Sequence, residues 1–414
     1  MSVDDEFPFA SFDTELASGK RVLPDYNGGS IVNVTASILQ SFGCEPPSAP
    51  LRSDLLDPNL LSDAVGGVVC LVVDALGLAQ LQAGLAAGRA PKVQQLIDIG
   101  GSPRCLTSIF PSTTTAALTS LATAHPPAGH GILGHVLWLD QVQSTCNVLH
   151  FAPVGRPTEP IDDDILRCRP TIHETLMQVG IPSFAVTAAA YEGTAFTSLL
   201  QRGSRFLGYQ TQSQIPALLE QALSAAANEG RCFVGMYWPH IDTIAHLDGP
   251  DLPTSRSEAS ALELEFVDLM IGHVAHVCRQ HGCALMITAD HGQTRLDPQR
   301  GCVLPTDFLS KLHHRPTGGR RAAYLACDDV QLLHDAGISQ AADLLPMDAV
   351  IEAGWFGGPL SSSFRRRIGN WLALAHDGVQ FLIDDGDGVY PLLGGHAGLT
   401  AAEMQVPLLV VPAS

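Results

Sequence analysis

The chain has 414 residues, 23 Lys and Arg against 42 Asp and Glu, a formal charge of −19 and a pI near 5.1. A hydrophobic share of 46% with 16% charged residues excludes wholesale disorder, and the negative charge excludes a polyanion-coating role, since nucleic-acid binders draw most of their affinity from Lys and Arg at phosphates. No apolar run approaches the roughly 20 residues needed to span a bilayer, and the acidic start carries no basic-then-apolar signal pattern, so a cytoplasmic protein with no membrane partner is expected.

Residues 1–60 are rich in Pro, Asp, Ser and Gly, with one helical candidate at 31–42, and are expected to form an irregular arm over the main domain. The first core strand is 67–74, GVVCLVVD, a continuous β-branched run of the kind buried on both faces of a parallel sheet. A helical stretch follows to about 99. Next come an apolar segment at 105–110, the run Pro-Ser-Thr-Thr-Thr at 111–115, and a helix over 116–124 whose start carries the Ser/Thr cap signal. Strands recur at 183–187, 232–237 and 284–288, with helices at 172–179, 215–229 and 255–279. Strands alternating with helices in this way indicate βαβ units and a parallel sheet covered on both faces. Residues 292–389 carry more turns, shorter strands at 322–327 and 379–383 and a helix at 361–375, and read as a smaller α+β insertion. The chain then returns to the main sheet at 405–411, which gives a main domain of 61–291 and 390–414. The ten cysteines are scattered without a CxxC pair and read as reduced, mostly buried apolar residues.

In parallel sheets the chemistry gathers beyond the carboxyl ends of strands. Asp74, the Thr cluster, Asp242 and Asp290 each follow a strand at about that place. Asp242 and His246 are four apart and share one face of a helical turn. His291 follows Asp290, and His396 lies in a Gly-Gly-His-Ala-Gly run. Singly, each has an ordinary reading: a cap, a solvated ion pair, a turn, a loop histidine. Together they form a set of imidazole and carboxylate donors suited to Zn²⁺, and two carboxylate-rich half-sites would make a two-metal clamp for phosphoryl transfer. A threonine hydroxyl at a helix N-terminus, where backbone N–H groups favour an anion, supplies a nucleophile.

These pieces, in this order, resemble the alkaline phosphatase superfamily, and most closely its nucleotide pyrophosphatase/phosphodiesterase branch. The resemblance covers roughly 67–140, 232–300 and 390–412 and rests on the strand ending in Asp74, Phe-Pro-Ser-Thr-Thr-Thr at 110–115, His130-Gly131, Asp242-x-x-x-His246, Asp290-His291-Gly292 and Gly395-His396. It implies an alkaline-phosphatase-like α/β fold with a central, mostly parallel sheet. It also implies two divalent ions, zinc, one on Asp242, His246 and His396 and the other on Asp74, Asp290 and His291. The nucleophile, which bridges toward the second ion, lies nine residues before the Thr of a Thr-Gly pair in the superfamily. Here that Thr is Thr123, in a Thr-Ala pair, which selects Thr114. Thr113 and Thr115 are the register alternatives and Ser108 a remoter one. Where the branch has a phosphate-binding Asn, this chain has His135, and His240 and Ala245 also depart from the branch pattern.

The implied activity is hydrolysis of phosphodiester or pyrophosphate bonds in small molecules such as nucleotide derivatives, through a covalent threonine intermediate. The rivals are a phosphomonoesterase or phosphonate-cleaving enzyme on the same site, and a non-catalytic binding descendant. A sulfatase is disfavoured because no Cys-x-Pro-x-Arg or Ser-x-Pro-x-Arg stands at the nucleophile.

Overall fold

A computed structural model describes residues 14–167, 169–251, 258–383 and 389–413. The helix expected from 255 begins outside these residues, as do the acidic start and Cys168. The main sheet is built from β1 (Gly67–Val73), β2 (Arg104–Thr107), β3 (Ser183–Ala188), β4 (Arg205–Tyr209), β5 (Cys232–Trp238), β6 (Cys283–Thr288) and β7 (Gln405–Val411). Their spatial order is β2-β7-β6-β1-β5-β3-β4. Only β7 runs against the rest, pairing antiparallel with both β6 and β2.

The most apolar strand takes the centre. All seven residues of β1 are buried, and it pairs in parallel with β5 on one side and β6 on the other. A β-branched run with no polar face is stable only where both faces are covered. Helices cover them: α1 (Ile31–Ser41), α2 (Leu78–Ala86), α3 (Pro91–Gly100), α4 (Thr114–Thr123), α5 (Ile172–Gln178), α6 (Ile215–Ala226), α7 (His240–Asp248) and α8 (Glu258–Gln280). α1, α4 and α5 pack together on one side, while α3 and α6 pack against α8 on the other. The helical stretch expected up to 99 is divided into α2 and α3, because Gly88 turns left-handed at φ 70° and Pro91 restarts the helix at its first turn. Among the described residues no helix is long and apolar enough to cross a membrane.

A second sheet is antiparallel throughout, in the order Ala342–Pro346, Trp371–Ala375, Ala322–Leu325, Thr317–Gly318, Val136–Leu139, Ser144–Asn147, Ala152–Pro153. It therefore takes three of its strands from a hairpin region at 136–153, which the sequence reading places in the main domain. The helix expected at 361–375 is a correction: a short helix covers Ser362–Arg365, and Trp371–Ala375 is a strand paired on both edges. Leu and Ala are strong helix formers, but pairing with two neighbours overrides that local preference.

Helix α5 begins with a capping box in which the Thr171 hydroxyl accepts from Glu174 N and the Glu174 carboxylate accepts from Thr171 N. It carries His173, which is buried, bonds Ser183 Oγ through Nδ1 at 3.0 Å and packs on Phe233. Burial pulls this imidazole down to about 4. A group whose folded-state pKa is lowered contributes stability that is complete above its unfolded pKa of about 6.5 and is lost as pH falls toward the folded value. Unfolding by urea at pH 7 and pH 4, in wild type and in His173→Gln, should therefore differ in pH dependence by about 3 kcal/mol, with the wild type losing more.

Candidate active site

Three of the parallel strands deliver the site from their carboxyl ends. β1 stops one residue before Asp74, β5 leads directly into α7 with Asp242 and His246, and β6 ends two residues before Asp290. Because β1 lies between β5 and β6, strands spaced about 4.8 Å apart set the three carboxylates side by side. His396 comes from elsewhere: Gly394–Gly395 pairs antiparallel with Thr294–Arg295, just past His291.

Among the described residues, two donor triads converge with their ligand atoms within 4.8 Å: Asp74, Asp290 and His291, and Asp242, His291 and His396. His291 stands where the triads meet, and its ring stacks on His396 with centroids 3.9 Å apart. His246 Nε2 faces the other oxygen of Asp242 at 3.3 Å. Every metal-ligand candidate named from the sequence is thus in one cluster.

The orientation of the rings is specific. Nδ1 of His246 lies 2.8 Å from Gly394 O, Nδ1 of His396 3.0 Å from Ser112 O, and Nδ1 of His291 3.1 Å from Gly292 O. A carbonyl can only accept, so each Nδ1 carries the proton and each Nε2 presents a lone pair to the centre. Opposite them, Asp74 Oδ1 and Asp290 Oδ2 are buried without any hydrogen-bond partner. The second oxygen of each is satisfied: Tyr237 O–H donates to Asp74 Oδ2, while Ala75 N and His291 N donate to Asp290 Oδ1 at 3.1 and 3.0 Å. Gln293 Nε2 donates to Asp242 Oδ1.

Charge at Asp74 and Asp290 is uncompensated. Burial, then Asp290 and Asp242, push the Asp74 carboxyl well above the carboxylate range, and burial raises Asp290 to about 6. Burial lowers His291 to about 4 and His396 to about 3. Burial also works to raise Asp242, but the rings of His246, His396 and His291 outweigh it and hold that carboxyl low. Lone pairs from three imidazoles and orphaned oxygens from clustered carboxylates make a set that divalent cations would satisfy.

The hydroxyls near the cluster differ in their hydrogen bonds. Thr114 is the first residue of α4, and its Oγ1 lies 3.1 Å from His291 Nε2. Thr115 Oγ1 donates to Gly134 O at 3.1 Å and Ser108 Oγ to Asp290 O, so both hydroxyls are spent on carbonyls. Thr113 is the buried N-cap residue. His135 follows Gly134, and its Nε2 lies 3.1 Å from Asn147 Nδ2. His130 is a structural histidine, bonded to Ser120 Oγ at 2.9 Å and accepting from Ile132 N. His281 pairs with Glu220, and His240 packs edge-on to Trp238.

Sequence reasoning missed the support behind the donors. Ser112 holds His396 through its carbonyl and donates from Oγ to Gly398 O at 2.8 Å. Glu403, fully buried, accepts from Gly398 N and from Arg321 through both carboxylate oxygens, at 2.8 and 3.1 Å to the guanidinium. This pair ties the second sheet to the His396 loop. Gly292 approaches the short helix Ala401–Met404 so closely that a Cβ would lie 2.1 Å from Ala402 O. Gln293 was adjacent to a recognised motif and Glu403 closes a Thr-x-x-Glu capping box with Thr400, which signals a helix start but not its partner Arg321.

A cavity of about 450 Å³ opens beside Asp74, Thr114 and Asp242. Leu149 and His150 line it from the 136–153 side.

Residues 68–396 match the family described as type I phosphodiesterase / nucleotide pyrophosphatase. The fold is similar to that of murine ectonucleotide pyrophosphatase/phosphodiesterase 5, an inactive variant solved in complex with AMP, at TM-score 0.63 and 17% identity, covering 82% of this chain and 87% of that one. The human protein of the same name gives TM-score 0.63 at 18% identity, covering 83% and 87%. Phosphonoacetate hydrolase from Sinorhizobium meliloti, in complex with phosphonoformate, gives TM-score 0.60 at 19% identity, covering 84% and 90%. No curated protein matches the sequence.

Proposed function

The chain belongs to the type I phosphodiesterase / nucleotide pyrophosphatase family, and from that premise we propose that it cleaves phosphodiester or pyrophosphate bonds of small molecules such as nucleotide derivatives, through a covalent intermediate on Thr114 and with two zinc ions. Asp74, Asp290 and His291 would hold one ion, and Asp242, His246 and His396 the other. Bound there, divalent cations neutralise phosphate charge and lower the pKa of an adjacent hydroxyl. The observation that carries this reading is the orientation of the donors: three imidazoles locked by backbone carbonyls with Nε2 inward, that of His291 toward the orphaned oxygens of Asp74 and Asp290 and those of His246 and His396 toward Asp242.

The chain's own residues account for the rest. Thr114 stands at the N-terminus of a ten-residue helix, where free N–H groups and the helix dipole hold a phosphate oxygen. Its Oγ1 attacks phosphorus, the hydroxyl proton goes to solvent, and the ester or phosphate oxygen opposite departs and is protonated by water. Water then attacks phosphorus, breaks the bond to Oγ1 and restores the threonine. Tyr237, Gln293 and the backbone carbonyls behind the histidines fix the geometry, so that positioning and charge stabilisation carry the rate. His135, held by Asn147, is proposed to contact a non-bridging phosphate oxygen.

A diester is favoured over a monoester because the cavity at Thr114 leaves room for a second ester group. The AMP and phosphonate complexes of the structural neighbours are consistent with a small anionic substrate. Zinc-loaded protein should turn over bis(p-nitrophenyl) phosphate faster than p-nitrophenyl phosphate. A preference for the monoester would transfer the assignment to a phosphomonoesterase on the same site.

A further inference from the structure

The cavity beside Thr114 is not a shallow cleft for a phosphate. It runs inward along one face of α4, past Leu118 and Leu121 to Ala122, a path of about 12 Å at 1.5 Å per residue. The sheet forms one wall and α1, through Ile38 and Thr35, another. α1 lies outside residues 68–396, so this wall is not part of the segment that matches the family. The space exists partly because Gly235 of β5 carries no side chain between Phe233 and Tyr237 and lies beside the small Cys70 and Ala185 of the neighbouring strands.

The lining is mostly apolar, with Ile38, Leu118, Leu121, Phe196, Phe233 and Met236 on it, and Thr187 and Thr197 among its polar residues. Two polar residues on the same lining have their bonds satisfied elsewhere, Thr35 on Leu121 O at 2.6 Å and His173 on Ser183 Oγ at 3.0 Å. Gln201 Oε1 is buried beside His173 on this lining, an acceptor that would repel an anion. Protein interiors are close-packed, with few voids larger than a water molecule, so an apolar-walled cavity of about 450 Å³ that opens onto a reactive centre has the size and character of a ligand site. A nucleobase would bring several donors and acceptors into this space, each needing a partner once buried.

We propose that this cavity receives the ester group of the substrate and that the preferred substrates carry an extended, uncharged apolar chain on phosphorus rather than a nucleoside. The inference rests on the phosphodiesterase reading for its chemistry, but the binding experiment does not depend on turnover. Zinc-loaded protein is titrated calorimetrically with ethyl, butyl, hexyl and octyl phosphate and with AMP. Kd should fall about fourfold per added methylene until the cavity is full, with octyl phosphate bound more tightly than AMP. Gly235→Val tests the location, because a Cβ there meets Phe233 at 3.6 Å and His173 at 3.8 Å, ordinary contact distances, and the γ-methyls beyond it would take up cavity space. It should flatten the chain-length series.

A flat series in the wild type, AMP tighter than octyl phosphate, or a Gly235→Val protein as steep as wild type would each overturn the proposal. If the variant does not fold, the wild-type series and the AMP comparison decide alone. Turnover of diesters with a flat series would remove the chain site and leave the phosphodiesterase reading standing. A steep series with no diester turned over would do the reverse.

Discussion

Replacing Thr114 by Ala should lower kcat for bis(p-nitrophenyl) phosphate by about 10³-fold or more, because removing a covalent nucleophile leaves only the binding and electrostatic parts of the rate. The hydroxyl is singled out by its surroundings. It lies 3.1 Å from the lone pair of His291, at the mouth of the donor cluster, whereas the hydroxyls of Thr115 and Ser108 are bonded to the carbonyls of Gly134 and Asp290. Thr115→Ala should therefore cost stability through the lost bond, about 1 kcal/mol, with kcat within a few-fold of wild type. Thr114→Ser, which keeps the oxygen, should recover much of the rate. Metal content, measured by atomic emission, should be unchanged in Thr114→Ala, since the six carboxylates and imidazoles remain and the threonine hydroxyl is hydrogen-bonded to His291. Full activity in Thr114→Ala would mean direct attack by water and no threonine intermediate.

Stripping the protein with a chelator should abolish turnover and also lower stability, with both restored by Zn²⁺. The reason is electrostatic. Asp74 Oδ1 and Asp290 Oδ2 have no hydrogen-bond partner in the protein, and Asp74 is pushed up by burial and by two neighbouring carboxylates. A cation bound to the folded chain alone stabilises it by about 3 kcal/mol at a hundredfold excess over Kd, which thermal melting with and without chelator would detect. Asp290→Asn keeps the volume and the bond from Ala75 N but removes the charge. It should reduce the zinc content from two equivalents toward one, with activity lost alongside. Unchanged zinc content and turnover in Asp290→Asn would remove that carboxylate from the metal set.

Much of this site was legible in the sequence because each donor follows a feature that local rules recognise. The buried run ending in Asp74 could only be a central strand, and Asp290-His291 ends a second apolar run in the same way. The spacing of Asp242 and His246 set both on one helical face, and α7 places them there. The strand at Trp371–Ala375 was not legible, because its Leu and Ala residues suit a helix equally well until two neighbouring strands pair with it. The pairing of Arg321 with Glu403 was invisible for a related reason. They stand 82 residues apart and become partners only when the second sheet docks against the His396 loop.

By itself, then, the sequence determined the parallel-sheet class, the six Asp and His residues that the fold brings into one cluster and the run of three threonines beside them. Period, burial and strand-end position are local properties of a chain. The tertiary structure alone decided which threonine faces the centre, that Gln293, Tyr237, Ser112 and Glu403 stand behind the donors, and that an apolar cavity runs inward from Thr114. Those depend on strand order. With β1 between β5 and β6, Asp74 meets Asp242 and Asp290 across neighbouring strands, and the packing of α1 on α4 sets the cavity wall. No spacing along the chain encodes either juxtaposition, because each is fixed by burial of apolar surface between segments distant in sequence.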